Sequence, residues 1–565
     1  MAFELEHDWQ AHLATPRARV GERAKTHLLI LLCIAWIFLG LVGHEPWKPD
    51  EAQTISIIKN MSEGESLLTP IAAGQQTIEY PPLYYWSATG SANLLSAILP
   101  LHDAARVVNS LWMTITLLMV GMLGRELWGV GIGRQITFIF IASIGLIASS
   151  HLLMPQVASL AGLSMALYAL ALAKRRPLRA SALLGTGIGI SFLATGPASA
   201  LIVFATMLFL PILFGQWRSK SFVIVCILSL LAASPWLAIW PWLLINNEPA
   251  QFSAWWQKVI HGSATINHLY TLRTVLWFSW PALPIAAWGA WRYRAVFLNK
   301  PKMQLLLVFF AVSFIIIGFA FERREIHALP LLLPLAALAG GSIETLKRGA
   351  AGALDWFGLL LFGILGSLIW LGWFAMLTGK PGKIAERMQF LAATQEAHLN
   401  LLTLAAALTV TIIWLFVVAN SKRSNRGALT NWAVGITMAW GLLMTLWLPW
   451  IDNARSYKHV MLQLNEAMPA HYSCINSFGV GAAQTALLDY YTGLAIKPQG
   501  AVHNSNPSCD LYLVQEDSNR PSKTPGSNWQ LLWTGNRALD RRESFHLFLR
   551  NAGEASGEDE ASKRL

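Results

Sequence analysis

The chain has 565 residues, of which 54% are hydrophobic and only 13% charged, with a formal net charge of +11 and 26 tryptophans. That balance excludes an ordinary soluble globular domain, in which about a quarter of the residues are charged. A basic excess suits nucleic acid in a soluble chain, but here it accompanies long apolar runs and reads as membrane sidedness.

Taken in order, a polar tail bearing Arg17, Arg19, Arg23 and Lys25 leads into the first apolar run. Runs near the length that spans a bilayer as helix lie at Leu28–Gly43, Val107–Leu123, Gln135–Ser150, Val157–Ala173, Ala180–Ala194 and Ala198–Phe214. They continue at Phe222–Ile245, Leu272–Trp291, Gln304–Phe321, His327–Leu346, Trp356–Leu377, Leu399–Ala419 and Trp432–Trp450. The expected fold is an α-helical polytopic membrane protein of about 13 transmembrane helices. Its first span is not read as a cleavable signal peptide, since no small-x-small site precedes Pro46.

The short basic loops fall on one side of this alternation. They carry Arg125 and Arg134, Lys174 to Arg176, Arg218 and Lys220, Arg292 to Lys302, Lys347 and Arg348, and Lys422 and Arg423. Basic loops stay cytoplasmic, so the N-terminus is expected inside and the loop after the first span outside.

That loop, His44–Trp86, holds an Asp50-Glu51 pair and the run Glu79-Tyr80-Pro81-Pro82-Leu83-Tyr84-Tyr85-Trp86. Loops beyond about a dozen residues usually carry function or are disordered. A carboxylate at a membrane surface can take a proton from an acceptor hydroxyl or hold a polar head group. Asp and Glu equally suit the N-terminus of a helix over 52–62, and aromatic residues equally anchor a chain at the interface. Paired prolines fix an extended backbone ahead of those aromatics.

After Trp450 the composition changes to that of a small water-soluble α/β unit, 451–550, followed by a disordered tail over 551–565. Helices are expected over 456–468 and 484–491, with strands over 472–478, 510–515 and 545–549. Cys474 and Cys509 both lie in this unit, and their pairing or freedom is left open by the sequence. Cys33 and Cys226 sit inside spans and read as small apolar residues.

The ordered set resembles the polytopic GT-C glycosyltransferases of the ArnT and protein O-mannosyltransferase superfamily. Besides the acid pair and the Pro-Pro-aromatic run, Gly189–Pro197 resembles the family's Gly-x-x-Phe-Leu-x-Lys-Gly-Pro helix break. Ser234-Pro235-Trp236 resembles its Pro-Trp turn, and Phe252–His268 followed by Trp277 its loop ending in His. Arg323-Arg324-Glu325 with Leu329-Pro330 and Pro334 resembles its Arg-x-x-x-Leu-Pro segment, and Asp452–Ser456 leads into the tail as expected.

The resemblance implies an inner-membrane glycosyltransferase that moves a sugar from a polyprenyl-phosphate donor, undecaprenyl phosphate in bacteria, to a periplasm-facing lipid A, glycan or protein, with inversion. Asp50 would be the principal acid, supported by Glu51 and Glu79. Tyr80, Tyr84, Tyr85, Lys258, His268, Arg323, Arg324 and His327 would face the donor head group, where a guanidinium holds phosphate oxygens bidentately. The catalytic module would cover 1–450, with the loop and its juxtamembrane helices at 44–106 and the C-terminal unit in the periplasm.

Four departures bear on the substrate. Gln53 and Thr54 stand where the family has Arg-Tyr, Tyr80 where it has Lys, Met154 where it has a second acid, and Thr195 where it has the helix-break Lys. Losing cations near a phosphate site argues against an activity identical to that of ArnT. No Cys/His ligand spacing, P-loop or dinucleotide fingerprint is present, so no cofactor is expected. A divalent ion between Asp50 and the phosphate is chemically compatible, but the missing acid argues against a dedicated site. His151 is expected at the interface. The rival classes are a flippase or transporter for lipid-linked sugars, which calls for charged residues inside spans, and a non-catalytic polyprenyl-lipid-binding regulator.

Overall fold

The computed structural model describes residues 22–551 apart from 74, 76, 262–266, 392–398, 422–423, 495, 499–508, 518–527 and 538–542. The tail expected over 551–565 thus lies, but for Asn551, outside the described residues. Among the described residues nine helices are long and apolar enough to cross a membrane. A tenth is reached if the pair Ile132–Ile141 and Ile144–Ser150, bent by 72°, counts as one span. Thr26–Phe38 and Pro197–Leu213 are shorter apolar helices. The chain is a multi-pass membrane protein.

The count of thirteen does not follow, and the physical reason is visible at Pro281. The expected span over 272–291 is two 11-residue helices, His268–Phe278 and Ala282–Arg292. Proline lacks the N–H that would continue the helical ladder and restricts the residue before it. The carbonyl of Trp280, whose helical donor position is Pro284, accepts from Ile144 N at 3.1 Å, so this break meets the bend of the other broken pair. Gly145 lets Phe278 pass there, since a Cβ on it would lie 2.1 Å from that ring.

At the centre of the bundle stand Pro155–Leu172 and Glu325–Thr345, whose apolar windows are 94% and 89% buried. Leu401–Asn420, at 11%, lies at the periphery facing lipid. Small residues set the central spacing. A Cβ on Gly162 would lie 2.7 Å from Gly187 O, and one on Gly187 would lie 2.6 Å from Gly162 O, so these two helices touch backbone to backbone. His151 corrects the interfacial expectation. It is buried, lies between the rings of Trp36 and Trp440, and reaches Trp36 O at 2.9 Å.

The two ends of the bundle differ in chemistry. At one end the basic loops are tied together: Lys174 Nζ donates to Gln216 O at 2.9 Å, Gln216 Nε2 to Asn299 O at 2.7 Å, and Arg175 pairs with Glu126. At the other end the 44–82 segment packs under a C-terminal sheet. Its strands are β1 Ile475–Phe478, β2 Lys497–Pro498, β3 Leu511–Asp517, β4 Trp529–Asn536 and β5 Glu543–Arg550. They run in the order β2-β1-β3-β5-β4, parallel from β2 to β3 and antiparallel from β3 to β4. Leu511, Leu513, Phe545 and Leu547 form its inner face with Leu487 and Leu488 of helix Ala482–Thr492. A disulfide joins Cys474 to Cys509, resolving the alternative left open by the sequence.

Candidate active site

The site begins where the first helix ends and helix Asp50–Ser62 starts. Consecutive helical residues point about 100° apart, so the Asp50-Glu51 pair cannot act as a pair. Glu51 turns inward and is fully buried. Arg106 Nε donates to its Oε1 at 2.7 Å and NH2 to its Oε2 at 3.2 Å, while Trp47 N and Leu153 N each donate to it at 2.9 Å. Burial works to raise the Glu51 carboxyl, but Arg106 and His44 together hold it below the usual carboxylate range. Every lone-pair direction is occupied, so Glu51 holds the loop rather than facing a substrate.

Arg106 is a residue that the sequence reading missed. It is buried and uses all five donors: the three on Glu51 and Asp103, and two on the carbonyls of His44 and Glu45 at 2.6 and 3.0 Å. The signal was the i, i+3 pair Asp103 and Arg106 immediately before an apolar span, since charges in that position need partners.

Asp50 turns the other way and pairs with Arg324. Arg324 NH1 also lies 3.7 Å from Glu79 Oε1, so the guanidinium stands between two carboxylates from different segments. Burial disfavours its charge, but Tyr80, Asp50 and Glu79 hold it protonated. Burial pushes the Glu79 carboxyl above the usual range, opposed by Arg324 and Lys258. A carboxyl raised in this way exchanges protons closer to neutrality.

Glu79 and Tyr80 line a cavity of about 140 Å³ together with Thr195, Trp255, Lys258 and His327. The helix break puts Thr195 there. Gly196, beside Pro81, has φ +91°, a conformation that favours glycine, and Pro197 starts the next helix, leaving Thr195 at the corner. Neither Asp50 nor Arg324 lines this cavity; Arg324 links Asp50 to Glu79, which does. His327 is buried and stacks on Phe321 at 4.6 Å.

Thus Asp50, Glu79, Tyr80, Lys258, Arg324 and His327 gather, and the other expected residues do not. Tyr84 is buried, donating to Asn109 Oδ1 at 2.8 Å and accepting from Met154 N at 3.1 Å. Tyr85 is buried edge-on to it. Arg323 donates to Asn267 Oδ1 at 2.7 Å, and His268 packs between Phe314 and Phe319. Met154 is buried at the head of Pro155–Leu172, so its position supplies no carboxylate. No group of three or more His, Cys, Asp or Glu side chains suited to a metal occurs among the described residues. Between Asp50 and Glu79 the place a cation would take is filled by Arg324.

No protein-family model matches the chain. It is 24% identical over 331 residues to undecaprenyl phosphate-alpha-4-amino-4-deoxy-L-arabinose arabinosyl transferase 2 of Pseudomonas fluorescens, covering 56% of this chain and 55% of that one. It is 25% identical over 340 residues to the protein of the same name from Proteus mirabilis, covering 55% and 58%. The chain thus spans a little over half the length of these curated relatives. Its structure superposes on crystal structures of ArnT from Cupriavidus metallidurans. The undecaprenyl phosphate-bound form gives a TM-score of 0.64 at 12% identity, over 93% of this chain and 98% of that one. The apo form gives 0.65 at 13%, with the same coverage. The archaeal oligosaccharyltransferase AglB of Archaeoglobus fulgidus, in complex with an inhibitory peptide and a dolichol-phosphate, gives 0.50 at 8%, over 85% and 65%. In fold the chain is an ArnT-like GT-C protein.

Proposed function

We propose that this protein is a membrane glycosyltransferase that moves a sugar from a polyprenyl-phosphate donor to an acceptor at the end of the bundle where the sheet docks. The observation that carries the reading is the Asp50–Arg324–Glu79 cluster opening on a cavity that also presents Lys258 and Tyr80. Both curated relatives are named transferases of an undecaprenyl phosphate-linked sugar, and one of the ArnT structures holds undecaprenyl phosphate.

The chemistry is a single displacement. The acceptor oxygen forms a bond to the anomeric carbon as the bond from that carbon to the lipid phosphate breaks, inverting the configuration. The acceptor proton passes to Asp50 or Glu79, and the electron pair leaves on the phosphate. Arg324 and Lys258 supply the positive charge that stabilises this leaving group, so positioning and electrostatics provide the catalysis. Glu51 is assigned to holding the loop that presents Asp50. In this reading the end with the basic loops faces the cytoplasm and the site, with the 451–550 unit, faces the periplasm, supported by the preference of basic loops for the cytoplasmic side. The acceptor is a glycolipid, glycan or protein on that side of the inner membrane.

Purified protein in lipid discs, given a panel of labelled undecaprenyl-phosphate sugars and a membrane acceptor extract, tests the reading. Wild-type protein should transfer label from at least one donor, and Asp50→Asn should lower the rate by about 100-fold or more, the scale of a lost acid–base group. Full activity in Asp50→Asn removes the role given to that residue. Lipid binding without transfer by the wild type favours the non-catalytic regulator, a reading supported by the buried Met154 where the family's second acid would stand.

A further inference from the structure

Behind the cavity lies a second, smaller space of about 20 Å³ that shares the walls Thr195, Phe321 and His327 with it. That is room for about one water molecule or one hydroxyl group. Besides the His327 ring that it shares with the cavity, its polar lining is Gln156, Ser159, Thr195 and Ser199, all at least nine-tenths buried and with no carboxylate, Lys or Arg among them. Thr195 Oγ1 donates to Ser159 Oγ at 2.9 Å and lies 2.7 Å from Ser199 Oγ, so the three hydroxyls form a linear chain through Thr195. Gln156 differs. Its Nε2 donates to Tyr80 OH at 3.1 Å, tying it to the cavity wall, but its Oε1 is buried without a hydrogen-bond partner among the described residues. An unmade hydrogen bond on a buried carbonyl costs about 1–3 kcal/mol, so such an atom points to a missing donor.

Resting on the proposed transferase reading, we infer that this recess is a specificity subsite: it takes one hydroxyl or hydroxymethyl of a neutral sugar whose ring occupies the cavity. The hydroxyl would donate to Gln156 Oε1 and accept from the Ser159–Thr195–Ser199 chain. An ammonium or carboxylate there would lose its hydration with no opposite charge in the recess to replace it. Thr195 is central, because it lines both the cavity and the recess and joins the two serines. Gln156 and Thr195 thus act on donor choice, while the charged cluster of Asp50, Glu79 and Arg324 acts on the reacting bond.

Binding of three kinds of probe to the full chain in lipid discs tests this: undecaprenyl phosphate, undecaprenyl-phosphate aminoarabinose, and undecaprenyl phosphate carrying glucose, galactose or mannose. At least one neutral hexosyl lipid should bind about 10-fold more tightly than the aminoarabinosyl lipid. Gln156→Leu and Thr195→Val should each weaken that hexosyl lipid by about 3- to 10-fold and leave undecaprenyl phosphate unchanged. Thr195→Val is nearly isosteric, so it keeps the test open if Gln156→Leu fails to fold. Equal or tighter binding of the aminoarabinosyl lipid overturns the inference alone, as does wild-type binding of the hexosyl lipids by the folded variants, which would leave the recess to a water. Failure of every lipid to bind overturns the transferase reading with it.

Discussion

At the residue scale, the site depends on a knot of charge that touches no substrate. Arg106 and Glu51 are both buried, and a buried pair stabilises only if its remaining hydrogen-bonding groups are satisfied, as they are here. His44 closes the knot from one side. It stacks on Trp47 at 4.1 Å, its Nδ1 lies 2.9 Å from Glu45 O, and it faces Glu51 at 4.0 Å. Burial, together with the Arg106 charge, pushes the imidazole from an ordinary 6.5 down to about 4, while Glu51 pulls it weakly back. The sign follows directly. As pH falls through 6.5 the unfolded chain takes a proton on His44 that the folded chain refuses until about 4, so stability is lost across that window and not above it. The loss is on the order of 3 kcal/mol at about 1.4 kcal/mol per unit. His44→Phe keeps the stack and cannot charge. Its melting midpoint should therefore fall less than that of wild type between pH 6.5 and 5, above the range in which Glu45 and Glu51 protonate. Parallel curves for the two proteins would refute the assignment.

At the element scale, the helix Pro177–Thr195 is the part that places chemistry. It carries Thr195 at its end and is held against Pro155–Leu172, which carries Gln156 and Ser159 at its start. Their spacing is set at Gly162 and Gly187, where each backbone fills the place of the other's Cβ. Gly187→Leu should force the helices apart, lower the melting midpoint by several degrees, and weaken sugar-lipid binding more than binding of undecaprenyl phosphate, because the recess opens while Arg324 stays. A thermal melt with the binding panel checks this; an unchanged melting point would show that the helices do not touch there. Apolar runs made the helices legible, since a run near twenty residues has few other fates. The breaks were less legible, because Pro281 and the bend before Ile144 interrupt helices without interrupting hydropathy. Asp50, Glu79 and Arg324 were legible as residue types in an ordered set of motifs that resembles a known family. The parting of Asp50 from Glu51, and the pairing of Glu51 with Arg106 across 55 residues, were not, because they depend on helix rotation and long-range packing.

At the scale of the whole molecule, the sheet does not merely follow the bundle; it holds down the loop that presents Asp50. Glu543, at the start of β5 and only 8% exposed, gathers donors from four places, one of them Gln515 Nε2 on the neighbouring strand β3. Lys48 Nζ of the loop reaches it at 2.9 Å and Gln484 Nε2 of the sheet's helix at 2.6 Å, while Tyr457 donates from the connecting segment. Two further ties run from the same helix. Ser56 Oγ donates to Asp489 Oδ2 at 3.0 Å, and Tyr491 OH donates to Glu45 Oε2 at 3.1 Å. Lys48 lies two residues before Asp50, so loss of its anchor loosens the acid directly. Glu543→Ala removes the shared acceptor and leaves Lys48 half-buried without its counter-charge, a change that costs about 3–5 kcal/mol for a well-buried pair and less here because Lys48 is partly solvated. The expected result is faster hydrogen exchange over 48–62 and faster proteolysis of the C-terminal unit, with the bundle itself still protected. Transfer should slow through a lower turnover number more than through weaker binding, because the proposed phosphate contacts, Arg324 and Lys258, are not touched by the change. Glu543→Gln keeps an acceptor for Tyr457 and should recover most of the protection. If exchange over 48–62 stayed at the wild-type rate in Glu543→Ala, the sheet would be a passenger on the bundle and Asp50 would owe its position to Arg106 and Glu51 alone.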